Sequence, residues 1–181
     1  MKTLFAILLF VVTQALYAGP DYVKYRQAFG IKASNLSGYG AFYGFKPGDR
    51  WRIQATGIYY LFDSKVKDEQ RVITDYTLGL EMQKDIIQEM KHRIYIMAGG
   101  YYYHDDDAIK SSNPFHKIKD SYNTGLGIGY ERFFHRVTLG LELGYKFYSD
   151  LWVEKRGIEN WVPVWEKVTK IGAGLNLGFI F

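Results

Sequence analysis

The sequence predicts an all-β chain, an eight-stranded antiparallel up-and-down transmembrane β-barrel, preceded by an export signal. Three observations predict it. Eight segments alternate apolar and polar residues with a period of two. The connections between them are short on one side and long on the other. Aromatics reach 18% of the 181 residues, with 16 Tyr, 12 Phe and 4 Trp. Mean hydropathy is only -0.20, and no apolar run approaches the ~18 residues of a membrane-spanning helix. That excludes a multi-helix membrane protein but not a barrel, whose two faces cancel in such an average. With 48% hydrophobic and 23% charged residues the chain is not disordered. The absence of cysteine excludes a disulfide scaffold and thiolate-bound zinc.

The elements follow in order. Lys2 precedes the apolar stretch Leu4 to Val12, too short to span a bilayer and suited to the core of a signal peptide. Residues 1–18 are read as that signal, cleaved after Ala18 or, by the small-residue rule, after Ala15; residues 19–181 form the barrel domain. The alternating segments lie at Tyr25–Ala33, Gly38–Lys46, Trp51–Phe62, Val72–Met82, Arg93–Tyr103, Ser121–Phe133, Arg136–Tyr148 and Ile171–Phe181. The seventh is the clearest: Val137, Leu139, Leu141, Leu143, Tyr145 and Phe147 fall on one face, Thr138, Gly140, Glu142, Gly144 and Lys146 on the other. Each is long enough to cross a bilayer as a tilted strand, which takes ~9–11 residues. With the N-terminus on the periplasmic side, the connections there are Lys46–Arg50, Gln83–His92 and Phe134–Arg136. The outer loops are Ser34–Ser37, Asp63–Arg71, His104–Asp120 and Asp150–Lys167.

Directing the apolar face outward leaves almost no charge toward lipid, where a mid-membrane Lys or Arg costs ~2–4 kcal/mol. The inward face then collects Arg26, Arg52, Asp75, Glu81, Arg93, Glu131, Glu142 and Lys146, with Lys32 and Lys46. Opposite charges on neighbouring strands suggest the pairs Arg52–Glu81 and Arg93–Glu131, a polar core that closes the barrel. The inward glycines leave room for these long side chains.

The chain resembles the small eight-stranded outer-membrane barrels, the class of the OmpA transmembrane domain and OmpX. The specific signal is a last strand ending in an aromatic after alternating hydrophobics: Leu175, Leu177, Phe179 and Phe181. The resemblance implies recognition by the barrel-assembly machinery and insertion beside outer-membrane lipids and lipopolysaccharide, as a monomer of the Gram-negative outer membrane.

Candidates for chemistry are few. His104 with Asp105, Asp106 and Asp107 reads as a solvated loop rather than a metal site, because adjacent residues encircle an ion poorly. Trp152, Trp161 and Trp165 mark the last loop as a possible surface-contact edge. No His is followed two residues later by Ser, the pair used by the lipid A deacylase family, and no nucleophile stands beside inward Glu142. A net charge of +4, spread over strands and loops, gives no nucleic-acid surface. The expectation is a non-enzymatic envelope or adhesion protein without cofactor or metal. A lipid A-modifying enzyme, a narrow channel and a soluble lipocalin-like carrier are the alternatives.

Overall fold

The computed structural model describes residues 25–66, 69–110, 115–156 and 162–181. The expected signal segment, Ala15 and Ala18 with it, lies outside the described residues, as does Trp161. Eight antiparallel strands follow the chain order and close into a barrel: β1 (Gln27–Ser34), β2 (Gly38–Gly48), β3 (Trp51–Val66), β4 (Glu69–Gln88), β5 (His92–Lys110), β6 (Phe115–Phe134), β7 (Val137–Arg156) and β8 (Val162–Ile180). Closure is made by β1 against β8, with Phe29 opposite Phe179 and Ile31 opposite Leu177.

All eight expected strands are present, but β3 to β8 run well beyond the stretches that alternate. His104 to Lys110 continues β5, Phe115 to Asp120 opens β6, and the stretches around Trp152 and Trp165 belong to β7 and β8. The segments read as long outer loops are therefore mostly paired sheet rising above the apolar band. The pairings Asp105↔Lys119 and Asp107↔Lys117 show how charged stretches keep the ladder going. On the other side β4 runs on to Gln88, so the connection read as Gln83–His92 shrinks to three residues. A bulge between Asp85 and Ile87 leaves Ile86 without a cross-strand partner. Asp85 stays buried while Ile86 and Ile87 are both exposed.

The two faces are inverted relative to a water-soluble barrel. Leu78, Leu80, Leu126, Leu141, Leu143, Ile171, Leu175 and Leu177 point outward and are exposed, whereas Lys32, Arg52, Glu81, Arg93, Glu131 and Glu142 are buried inside. This arrangement runs opposite to a carrier with an apolar ligand cavity. Aromatics gather at both ends of the exposed band. At one end Phe29 packs against Phe179 and Phe181, with ring centroids 5.7 and 5.9 Å apart. Lys84 stands over Trp51 there. At the other end Tyr76, Tyr102 and Tyr122 form a continuous cluster, with Tyr102–Tyr122 centroids at 5.1 Å.

Strands β1 and β2 are short, and the Asn35–Ser37 turn between them is not an outer loop. It folds into the lumen. Leu36 and Ser37 are fully buried, and Leu36 packs with Tyr95 and Met97. The turn is held by the Leu36 N–H donating to Ser34 Oγ (3.2 Å) and the Ala173 N–H donating to Asn35 Oδ1 (2.8 Å). Its backbone presses on glycines of the facing strands. A Cβ added at Gly125 would stand 2.5 Å from the Leu36 carbonyl oxygen, and one at Gly79 would stand 2.3 Å from that of Ser37. These glycines make room for the turn, not for charged side chains.

Candidate functional site: the lumen

The barrel interior is layered from the end where β1 begins and β8 ends. Its floor is apolar: Ala28, Phe42, Phe133 and Ile180 are buried together. Above it lies a connected charge network. Arg93 is its hub. Its Nε donates to Glu131 (2.5 Å), its Nη1 to Asp85 (2.7 Å) and its Nη2 to the Gln83 side-chain oxygen (2.5 Å). The guanidinium also lies over the Tyr95 ring, 4.2 Å from its centroid. Arg52 reaches Glu131 at 3.1 Å. Gln83 donates to Glu81, and Lys32 bridges Glu81 (2.6 Å) and Glu142 (2.7 Å). Ser34 and the Tyr95 hydroxyl complete the shell of Glu142 at 2.9 and 3.1 Å.

Within this layer the buried cations Lys32, Lys46, Arg52 and Arg93 balance the buried anions Glu81, Asp85, Glu131 and Glu142; Asp150, also buried, pairs with Lys119 above the turn. Charge balance with hydrogen-bonded partners is the condition under which ions persist away from water. The Leu36 turn caps this layer. Above the turn the interior opens into a vestibule. There Lys146 donates to Tyr101 (3.0 Å) and lies over the Tyr148 ring, and Lys119 pairs with Asp150 at 2.7 Å.

The structure therefore sorts the residues expected from sequence. Arg52, Glu81, Arg93, Glu131 and Glu142 meet in one network, and Arg93–Glu131 is paired as expected. Arg52 does not pair with Glu81: the register sets it beside Gln83, and its side chain crosses the lumen from β3 to Glu131 on β6. Glu81 is taken by Lys32 from β1 instead. Arg26 is exposed below the barrel and Asp75 lies above the turn, opposite Asp105. Lys146 belongs to the vestibule. Leu175, Leu177, Phe179 and Phe181 line the outer face of the last strand, and Phe179 and Phe181 pack on Phe29. Trp152 and Trp165 lie on strands, with side chains outside the described residues.

Four contributors escaped the sequence reading. Gln83 and Asp85 fell in what read as the Gln83–His92 connection, Tyr95 looked like an ordinary strand residue, and Leu36 sat in what read as a solvent turn. An apolar residue inside a three-residue turn was the one available signal. The His104 stretch is ordered by partners: His104 Nδ1 lies 2.8 Å from Asp120, His116 Nε2 lies 2.8 Å from Asp106, and Arg71 pairs with Asp107. Among the described residues no three His, Asp or Glu side chains gather to hold a metal ion.

No protein-family model matches the chain, and no curated protein matches it by sequence. The fold is similar to that of a major outer membrane protein from Thermus thermophilus, with 12% identity and a TM-score of 0.52, covering 87% of this chain and all of that one. A looser likeness links it to CarO of Acinetobacter baumannii, with 8% identity and a TM-score of 0.39 over 90% of this chain and all of that one. The first likeness, with the closed ring of eight antiparallel strands, shows the fold of a small outer-membrane barrel.

Proposed function

We propose, from this shared fold, that the chain is a non-catalytic integral protein of a Gram-negative-type outer membrane. In this reading its lumen is closed and its tall β3–β8 wall presents a surface outside the cell, in an envelope-supporting or adhesive role. Residues 1–18 direct export. Leu175, Leu177, Phe179 and Phe181 present the last strand to the barrel-assembly machinery, and the folded monomer sits among outer-membrane lipids and lipopolysaccharide. The observation that carries the proposal is the inversion of the two faces, with exposed leucines around a buried, balanced set of ions. The closed lumen is supported by three stacked layers: the Phe42–Ile180 floor, the Arg93 network and the Leu36 turn.

Two measurements test this. Substituting Leu141→Arg, at an exposed position midway along the band, should lower stability in vesicles by ~2–4 kcal/mol, read from urea unfolding. An exposed site on a water-soluble barrel would change by no more than about 0.5 kcal/mol. In planar bilayers the inserted protein should carry no steady single-channel current; sustained conductance would reject the closed lumen while leaving the membrane location intact.

A further inference from the structure

We propose that the outer face of β6 binds one anionic lipid of the outer leaflet, with an acyl chain over Gly100 and its phosphate, not neutralised by a headgroup cation, at Lys167. The inference rests on the membrane reading above. Two depressions in the outer surface share Tyr122 and Thr124. The first, about 550 Å³, is apolar. Gly100 forms its floor, between Leu80 on β4 and Thr124 on β6, with Leu78, Tyr102 and Tyr122 around it and Ala55 on the far side of Leu80. The missing side chain at Gly100 leaves a slot in this apolar surface between Leu80 and Thr124. The second, about 360 Å³, is the more polar of the two and lies beside it over β7 and β8, where Ser149, Lys167 and Thr169 stand among Phe147, Tyr148 and Val168.

Their heights match a lipid standing upright. The inward turn fixes one level of the barrel, since its residues press on Gly79, Gly99, Gly125 and Gly172 on four strands. Gly100 and Leu80 adjoin Gly99 and Gly79, so the apolar slot lies at that level. Lys167 and Thr169 lie farther up β8 than Gly172, and Ser149 lies level with Lys167 across the β7–β8 ladder. The polar niche is therefore the upper of the two, at or above the Tyr76–Tyr102–Tyr122 belt where headgroups meet aromatic side chains. A lysine ammonium with two hydroxyl groups supplies donors suited to a phosphate. A zwitterionic lipid would fill the slot equally well but gain less at Lys167.

The test uses the chain folded into phosphatidylcholine vesicles containing a trace of chain-spin-labelled phosphatidic acid or chain-spin-labelled phosphatidylcholine. A motionally restricted component is expected to favour phosphatidic acid about fivefold at low salt, the size of effect one surface lysine exerts on an anionic lipid. Lys167→Ala should remove the preference and Lys167→Arg keep it. Thr124→Phe, which fills the slot, should shrink the restricted component for both lipids. Equal restriction of the two lipids, a preference that survives Lys167→Ala, or a slot indifferent to Thr124→Phe would each overturn the proposal. Displacement of the label by unlabelled lipid A or by unlabelled phosphatidylglycerol would each support it and identify the source of the phosphate. Flotation with the vesicles and heat-shifted gel mobility of the same samples report insertion separately. Failure there would sink the membrane reading itself rather than the lipid site.

Discussion

Replacing Arg93 with alanine should destabilise the folded barrel by about 3–5 kcal/mol, the usual cost of stranding buried charge. The guanidinium serves Glu131, Asp85 and Gln83 at once, and all three are buried. Its removal leaves Asp85 without its 2.7 Å ion pair and Glu131 with one of its two described cationic partners, Arg52. Lysine is a poor replacement, because a single ammonium cannot span three acceptors held by the fork of a guanidinium. The measurement is urea unfolding in vesicles, with Glu131→Gln as the partner in a double-mutant cycle. Because the two groups touch, the double variant should lose less than the sum of the single losses, by about 0.5–3 kcal/mol. A loss under about 1 kcal/mol for Arg93→Ala, the range of exposed ion pairs, would mean that water reaches the network.

Much of this architecture is legible in the sequence because a barrel separates its two solvents residue by residue. Val137 to Phe147 alternate without a break, and the structure keeps that separation with Leu141 and Leu143 out and Glu142 in. The inward charges Arg52, Glu81, Arg93, Glu131 and Glu142 were equally legible, since a strand's parity fixes the side of the sheet they occupy. Their partners were not. Parity and register relate neighbouring strands, whereas Lys32–Glu81 joins β1 to β4, Lys32–Glu142 joins β1 to β7, and Arg52–Glu131 joins β3 to β6. In an eight-stranded barrel the interior is narrow enough for long side chains to reach across, so contacts there depend on closure and tilt, which no single hairpin reveals. The ends of the strands were underestimated for a related reason. Above the apolar band neither face of the sheet is reserved for apolar residues, and runs such as His104 to Asp107 lose their alternation while keeping their ladder.

The Leu36 turn changes what the glycines mean. Glycine on the inward face of a strand reads as space, and the sequence offers long charged side chains to fill it. At Gly174 that reading holds in part, because an added Cβ would stand 2.7 Å from a Glu142 carboxylate oxygen. At Gly79, Gly125 and Gly172 the space is occupied by the turn. The charged layer and the turn are also joined, since Ser34 donates to Glu142 and accepts from the Leu36 N–H. Disturbing the turn therefore reaches the ions beneath it.

Gly125→Ala is accordingly expected to expel the turn from the lumen. The new Cβ would lie 2.5 Å from the Leu36 carbonyl oxygen and 3.0 Å from its Cα, and both are backbone atoms that cannot rotate away. Either β6 bows outward or the turn withdraws. The barrel ladder on both sides of Gly125 is continuous, with Gly99 and Lys146 as its partners, so the three-residue turn should be the part that yields. Withdrawal removes Leu36 from its contact with Tyr95 and Met97, and losing a buried leucine costs about 2–5 kcal/mol. Limited proteolysis should then cut at Leu36–Ser37, which is buried in the native lumen, and amide exchange there should rise with it. Leu36→Ala measures the burial alone, and added to Gly125→Ala it should cost little more, because the side chain has already left its pocket. Gly48→Ala is the control, with nothing within 4 Å of its added Cβ. Should Gly125→Ala keep both its stability and its resistance to cleavage, the turn does not occupy the lumen, and the closure of this barrel would fall to the charge network and the Phe42 floor alone.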